Sequence, residues 1–160
     1  MRDLQKFKGM GLAKAIAVVA AMELGKRRNS TLAIKKKQIT QSSEVFDLLC
    51  PLLGDLPYEE FWVIFLNKSN RLIGKQKISQ GGISGTVTDV RMILRLAIEL
   101  QATSIIVCHN HPSGGVKPSQ SDIEITKKIS EAGKIMDVKL LDHLIVTDAT
   151  FYSFADEGLL

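Results

Sequence analysis

Long apolar runs are missing from this chain. No uninterrupted stretch reaches the roughly 18 residues that a membrane span requires, and Lys14 interrupts the apolar segment that runs to Met22. That segment follows basic residues, as the core of a secretory signal does. Yet Glu23-Leu24-Gly25-Lys26 stands where a small-residue cleavage site belongs. The segment therefore reads as a helix and the protein as cytoplasmic, with no membrane contact. Cysteine is equally scarce: Cys50 and Cys108 each follow apolar residues, which favours two buried thiols in a reducing compartment over a disulfide. Repeats and low-complexity segments are absent. A chain that is 45% hydrophobic and 24% charged is not a disordered one, and 160 residues suffice for one ordinary domain with a real core.

Acidic residues are nearly absent from the first quarter. Residues 1–40 hold ten Lys/Arg against two Asp/Glu, a net +8, while residues 41–160 net −4. A basic segment of this kind suits weak contact with nucleic acid or a solvated surface and linker, and charge alone does not separate the two. Within it, 11–28 reads as a helix from its apolar spacing, and Lys26-Arg27-Arg28 suits the negative end of the helix dipole. Lys8-Gly9-Met10-Gly11 precedes it; a Gly-x-Gly turn at a helix start can offer N–H groups to a phosphate or serve as an ordinary tight turn. Residues 29–41 read as a polar, basic linker. The segments 1–40 and 41–160 are thus expected to be separate regions.

A second helix is expected from Thr40–Ser43 to about Leu53, with Pro51 and Gly54 ending it. Phe61-Trp62-Val63-Ile64-Phe65-Leu66 is aromatic and β-branched, as a buried strand is. Residues 71–80 should pair back on it after the turn Asn67-Lys68-Ser69-Asn70, and Gly81-Gly82 with Gly85 punctuate a loop. Thr88 to Gln101 carries Val90, Ile93, Leu94, Ala97 and Ile98 at helical spacing. Ser104–Cys108 is a buried strand, Ser119 opens a helix to about Met136, and strands follow at Val138–Thr147 and near Phe151–Phe154. The order predicts an α/β domain.

Chemistry concentrates after the third of these strands. The chain has three histidines, and two of them, His109 and His111, lie two residues apart. In extended backbone such residues project to one side, and Pro112 disfavours helix at His111. Zinc accepts imidazole nitrogens and carboxylate oxygens, and its catalytic sites use three protein ligands beside an open position. Asp122, in the first turn of the helix opened by Ser119, is the candidate third ligand. Ser119-x-x-Asp122 also matches a capping box, so the pair can serve as a cap, as part of a metal site, or as both. A dication activates water, but hydrolysis of an amide also needs a carboxylate that is not a ligand to carry the proton. Glu60 is the first candidate for that base and Glu59 the second. Ser119 is a candidate donor to a developing oxyanion. His143 reads as a fourth ligand, a partner behind a ligand, or a hydrogen-bonded core histidine, the last being favoured; Asp142 is a candidate to orient a ligating histidine. A nuclease centre would need clustered carboxylates for a second ion, which the segment lacks.

His109-x-His111, seven residues, Ser119, two residues and Asp122 resembles the JAMM signature of MPN-type metalloproteases. His109-Asn110-His111-Pro112-Ser113-Gly114 with Pro118-Ser119, Glu60-Phe61, Asp142-His143-Leu144-Ile145 and Phe151-Tyr152-Ser153-Phe154 resemble its RadC branch. The resemblance covers residues 58–160. It implies a cytidine-deaminase-like fold with a mixed β-sheet flanked by helices, and one Zn2+ per chain held by His109, His111, Asp122 and water. It also implies Glu60 as the proton carrier, Ser119 as oxyanion support, and hydrolysis of a peptide or isopeptide bond in a protein or peptide substrate. RadC proteins usually carry helix-hairpin-helix motifs before this domain, and Leu4 to Arg28 resembles the end of such a unit. The resemblance leaves the substrate and the oligomeric state open, self-association included.

Overall fold

The computed structural model describes residues 7, 10–36, 38–81 and 88–160, residues 25–36 by backbone alone. Lys8 and Gly9 of the expected Gly-x-Gly turn, and Gly82 and Gly85 of the expected loop, lie outside them. Among the described residues the chain forms four helices and five strands: α1 (Leu12–Lys36), α2 (Ser42–Leu53), β1 (Glu60–Leu66), β2 (Leu72–Gln80), α3 (Val90–Glu99), β3 (Ser104–Asn110), α4 (Gln120–Ile135), β4 (Lys139–Val146) and β5 (Phe151–Ser153). No helix among them is long and apolar enough to cross a membrane.

The chain divides into two units, Met1–Lys36 and Lys37–Leu160. In the first, α1 continues through Lys36, which corrects the linker expected from residue 29. The basic run masks a stretch, Thr31-Leu32-Ala33-Ile34, that returns to helical apolar spacing without a proline. Ile39, at the start of the second unit, is buried and donates its N–H to Asn70 O at 2.8 Å. In α2, Pro51 sits inside the last turn rather than ending it, and Gly54 is the C-cap.

The second unit is built on one sheet of order β2-β1-β3-β4-β5. The β1–β2, β1–β3 and β4–β5 pairs are antiparallel and β3–β4 is parallel. The sheet is therefore mixed, as the resemblance implied. Its central strand β3 is buried along all seven residues, which explains why its sequence reads as a continuous apolar run rather than an alternation. Side chains alternate between the two faces. Phe61, Val63, Phe65, Ile105 and Val107 join Ile93 and Ala97 of α3 and Ile129 of α4 in one core. Trp62, Ile64, Leu66, Ile106 and Cys108 join Val45, Leu49 and Leu53 of α2 in the other. Cys50 and Cys108 are free thiols, Cys108 fully buried.

The link from α4 to β4 sets where the helix lies on the sheet. Gly133 O accepts from Met136 N at 3.1 Å and from Val138 N at 2.9 Å, and Asp137 turns the chain at φ 54°. A Cβ at Gly133 would stand 2.3 Å from Val138 O, which is backbone and cannot swing aside. Gly133→Ala is therefore expected to cost about 1–3 kcal/mol, the range of overpacked sites. Urea unfolding checks this: the midpoint should fall with the slope unchanged, and an unshifted midpoint contradicts the packing described.

Candidate metal centre

Strand β3 delivers the two histidines. His109 is its penultimate residue and pairs with Phe61 of β1 and Ile145 of β4. Its ring is 5% exposed and stacks on Phe61, with centroids 5.9 Å apart and planes at 8°. His111 follows the strand; its N–H donates to Val146 O at 3.1 Å. Gly114, at φ 79°, then reverses the loop, a backbone state that glycine adopts without strain. The loop returns so that Gly115 O lies 2.7 Å from His111 Nδ1. A carbonyl can only accept, so Nδ1 carries the proton and the lone pair of Nε2 faces outward.

Helix α4 delivers the acid. Ser119 is its N-cap: Ser119 Oγ accepts from Asp122 N at 3.2 Å, while Ser119 N donates to Asp122 Oδ2 at 2.7 Å. The Ser119 hydroxyl proton also goes to Asp122 Oδ2, at 2.6 Å. The capping box is real, and it aims the carboxylate at the histidines rather than diverting it. Asp122 Oδ1 lies 3.2 Å from His109 Nε2, Asp122 Oδ2 lies 3.6 Å from His111 Nε2, and the two Nε2 atoms are 3.0 Å apart. Zinc bonds of roughly 2.0–2.2 Å at the tetrahedral angle place neighbouring ligand atoms about 3.3–3.6 Å apart. The donor set and its spacing fit a zinc ion. Among the described residues these three form the one group of three or more His, Cys, Asp or Glu able to hold a metal.

The ionisable groups of the cluster shift one another. Burial would raise the Asp122 carboxyl, but hydrogen bonds with His109 and His111 outweigh it and hold the group well below the usual carboxylate range. The hydrogen bond with Asp122 lifts His111 above the ordinary imidazole value against its partial burial. His143 is fully buried, and burial first, then the neighbouring His109, hold it well below that value.

These three side chains line a cavity of about 400 Å³ together with Glu59, Phe61, Thr88 and Ile125. Glu60, the first candidate for the proton carrier, is not among the lining residues. In β1, Glu60 shares the face of Trp62, not that of Phe61 and His109. Its Oε2 accepts from Trp62 Nε1 at 2.8 Å and its Oε1 from Lys77 Nζ at 2.9 Å. Glu59, the second candidate, is the carboxylate at the cavity.

Asn110, which sequence reasoning passed over, holds the backbone around Glu59. Buried at 2% exposure, it accepts from Glu60 N through Oδ1 at 2.8 Å and donates to Tyr58 O through Nδ2 at 2.9 Å. It thus clamps the backbone on both sides of Glu59. Asp142 does not reach the ligands. It accepts from Ser153 Oγ at 2.6 Å, Ala155 N at 3.0 Å and His143 N at 2.7 Å, tying β4 to β5 and the turn beyond it. His143 is the residue behind the site: its Nε2 lies 2.8 Å from His109 Nδ1.

Comparison with known proteins gives the chain a family. The family model described as a RadC-like JAB domain matches residues 39–159. A UPF0758 protein of Flavobacterium johnsoniae is 55% identical over 157 residues, covering 98% of this chain and 69% of that relative. The UPF0758 proteins of Porphyromonas gingivalis and Staphylococcus epidermidis are 46% and 41% identical, over 96% and 99% of this chain and 68% and 70% of their own lengths.

The shifted groups give a pH dependence for the metal-free protein. Asp122, depressed on folding, contributes stability that is present above its unfolded value of about 3.9 and lost as pH falls through the folded one. His111, raised on folding, contributes stability that is full below about 6.5 and lost as pH rises through its raised value. The pair therefore supports the metal-free fold most between roughly pH 4 and 6.5. Thermal melts with a chelator should show wild type losing more Tm than Asp122→Asn between pH 5.5 and 9; equal losses contradict the pairing.

Proposed function

The chain belongs to the RadC-like JAB domain family, and from that premise we propose that it is a zinc-dependent hydrolase of amide bonds, acting on a peptide or isopeptide. The convergence of His109 Nε2, His111 Nε2 and the Asp122 carboxylate in a cavity that also holds Glu59 carries this reading. His109, His111 and Asp122 would hold a dication, which would supply water activation near neutral pH and Lewis acidity toward the scissile carbonyl.

The chain's own residues supply the rest. Glu59 is the proton carrier: it takes the proton of the attacking water and delivers it to the departing amine. Its backbone is held by the Asn110 clamp, so its position does not depend on an ordered loop. Ser119 keeps Asp122 oriented through the capping box. Its hydroxyl, now donating to Asp122 Oδ2, lies at the cavity wall and can turn to a developing oxyanion. Ser119 Oγ also lies 2.8 Å from Ser121 Oγ, a second hydroxyl at the cavity wall that can take over part of its bonding when it turns. Phe61 and Ile125 give the cavity apolar walls against which a substrate side chain can exclude water.

The decisive pair of variants is Glu59→Gln and Glu60→Gln. Glu59→Gln is expected to retain one zinc per chain by elemental analysis while losing about 10²–10⁴-fold in kcat against a cleavable peptide identified from a library, the range of general acid–base contributions. Glu60→Gln, which keeps an acceptor for one of the two donors Trp62 and Lys77, should retain zinc and cleave within a few-fold of wild type. Undiminished cleavage by Glu59→Gln, or loss confined to Glu60→Gln, contradicts the assignment.

A further inference from the structure

Behind the ligands runs a chain of buried hydrogen bonds whose direction is set at one end. Thr126, 2% exposed and one helical turn after Asp122, donates its hydroxyl proton to Asp122 O. A carbonyl oxygen only accepts, and a hydroxyl has one proton to give. Thr126 Oγ1 must therefore act as acceptor toward its other partner, His143 Nδ1, so that nitrogen carries a proton. His143 is fully buried, stacked on Phe154 with centroids 4.8 Å apart and planes at 11°. Its two nitrogens contact Thr126 and His109, neither of which is a carboxylate. A second proton on that ring would put an unpaired charge in the core, so Nε2 keeps its lone pair. His109 Nδ1, 2.8 Å away, then has to donate, and His109 Nε2 is left bare toward His111 and Asp122.

We propose that Thr126 and His143 are positioning residues which fix His109 in the tautomer that can ligate a metal, with the Asp122 main-chain carbonyl as the origin of the signal. This deepens the metal-centre reading above and rests on it. Asp122 acts twice: its carboxylate faces the cation position, and its carbonyl, through α4 and β4, sets the protonation of the partner ligand on β3. His111 has its own setter in Gly115 O. The two imidazoles are thus preset independently, one by a local loop and one by a relay across three elements. A coordinating histidine held by a hydrogen bond to its other nitrogen is the general pattern at metal sites. Here the holder is a second histidine, which can take either tautomer, so its own direction has to be set by a third group.

The test uses the full chain with 15N-labelled histidine. Two-bond 1H–15N correlation at pH 8, in the presence of a chelator, reports which nitrogen of each ring carries the proton. Wild type is expected to show His109 protonated at Nδ1 with Nε2 bare; a proton on His109 Nε2 overturns the proposal, and this result needs no variant to fold. Thr126→Val removes the acceptor for His143 Nδ1. The His143 proton can then move to Nε2, which turns His109 to the Nε2–H form. Zinc affinity, read by competition with a chelating dye, is expected to fall about 10–100-fold, and Thr126→Ser should restore both the spectrum and the affinity. A folded Thr126→Val chain with the wild-type tautomer and zinc affinity within twofold of wild type also overturns it. A wild-type chain with the bare Nε2 that binds no zinc supports the relay and defeats the metal-centre reading alone.

Discussion

Two imidazole nitrogens and a carboxylate held within 3.6 Å of one another repel unless a positive charge lies among them. Everything else in the second unit works to keep them there. His109 cannot retreat, because β3 is hydrogen-bonded on both sides, antiparallel to β1 and parallel to β4, and His111 is tied to β4 through Val146 O. The carboxylate cannot retreat, because the Ser119 capping box uses Asp122 Oδ2 to close the start of α4. The sheet and the helix are stable for their own reasons of apolar burial, and the strained meeting of like groups is carried by that stability. A proton can fill the gap at lower pH and a dication at neutral pH, which makes the two competitors for one position.

The same geometry explains why adjacent glutamates have different fates. Glu59 and Glu60 straddle the beginning of β1, and successive side chains at a strand start go to opposite faces. Glu60 falls on the face of Trp62 and Lys77 and becomes part of the fold's polar fastening. Glu59 falls beside the cavity. The clamp that registers them, Asn110, sits between the two histidines in sequence, so one tripeptide provides two ligand side chains and the anchor of the neighbouring strand.

Much of this was legible beforehand, for identifiable reasons. His109 and His111 could be paired because a two-residue spacing after an apolar strand has one geometric meaning. Asp122 could be added because a Ser-x-x-Asp helix start places its acid at a loop's return. The α/β class followed from the order of elements, and the mixed sheet from the family resemblance alone. What could not be read depends on parity and on distance across the chain. A slip of one residue in where β1 begins exchanges Glu59 for Glu60, and no local pattern marks that start. The length of α1 was hidden because charge suggested a linker where helix propensity persists. His143 read first as a hydrogen-bonded core histidine, since its partner His109 lies 34 residues away in sequence. Thr126 gave no signal: a threonine within an amphipathic helix is common, and its task appears once α4 is docked beside β4.

The central claim is that the three side chains grip one cation. Crystals of the full chain grown with zinc, measured with anomalous scattering at the zinc edge, test it most directly. The account predicts a single strong peak about 2.0–2.2 Å from His109 Nε2, His111 Nε2 and a carboxylate oxygen of Asp122. A zinc-saturated crystal with no peak at that position, or with the ion held by other residues, would contradict it.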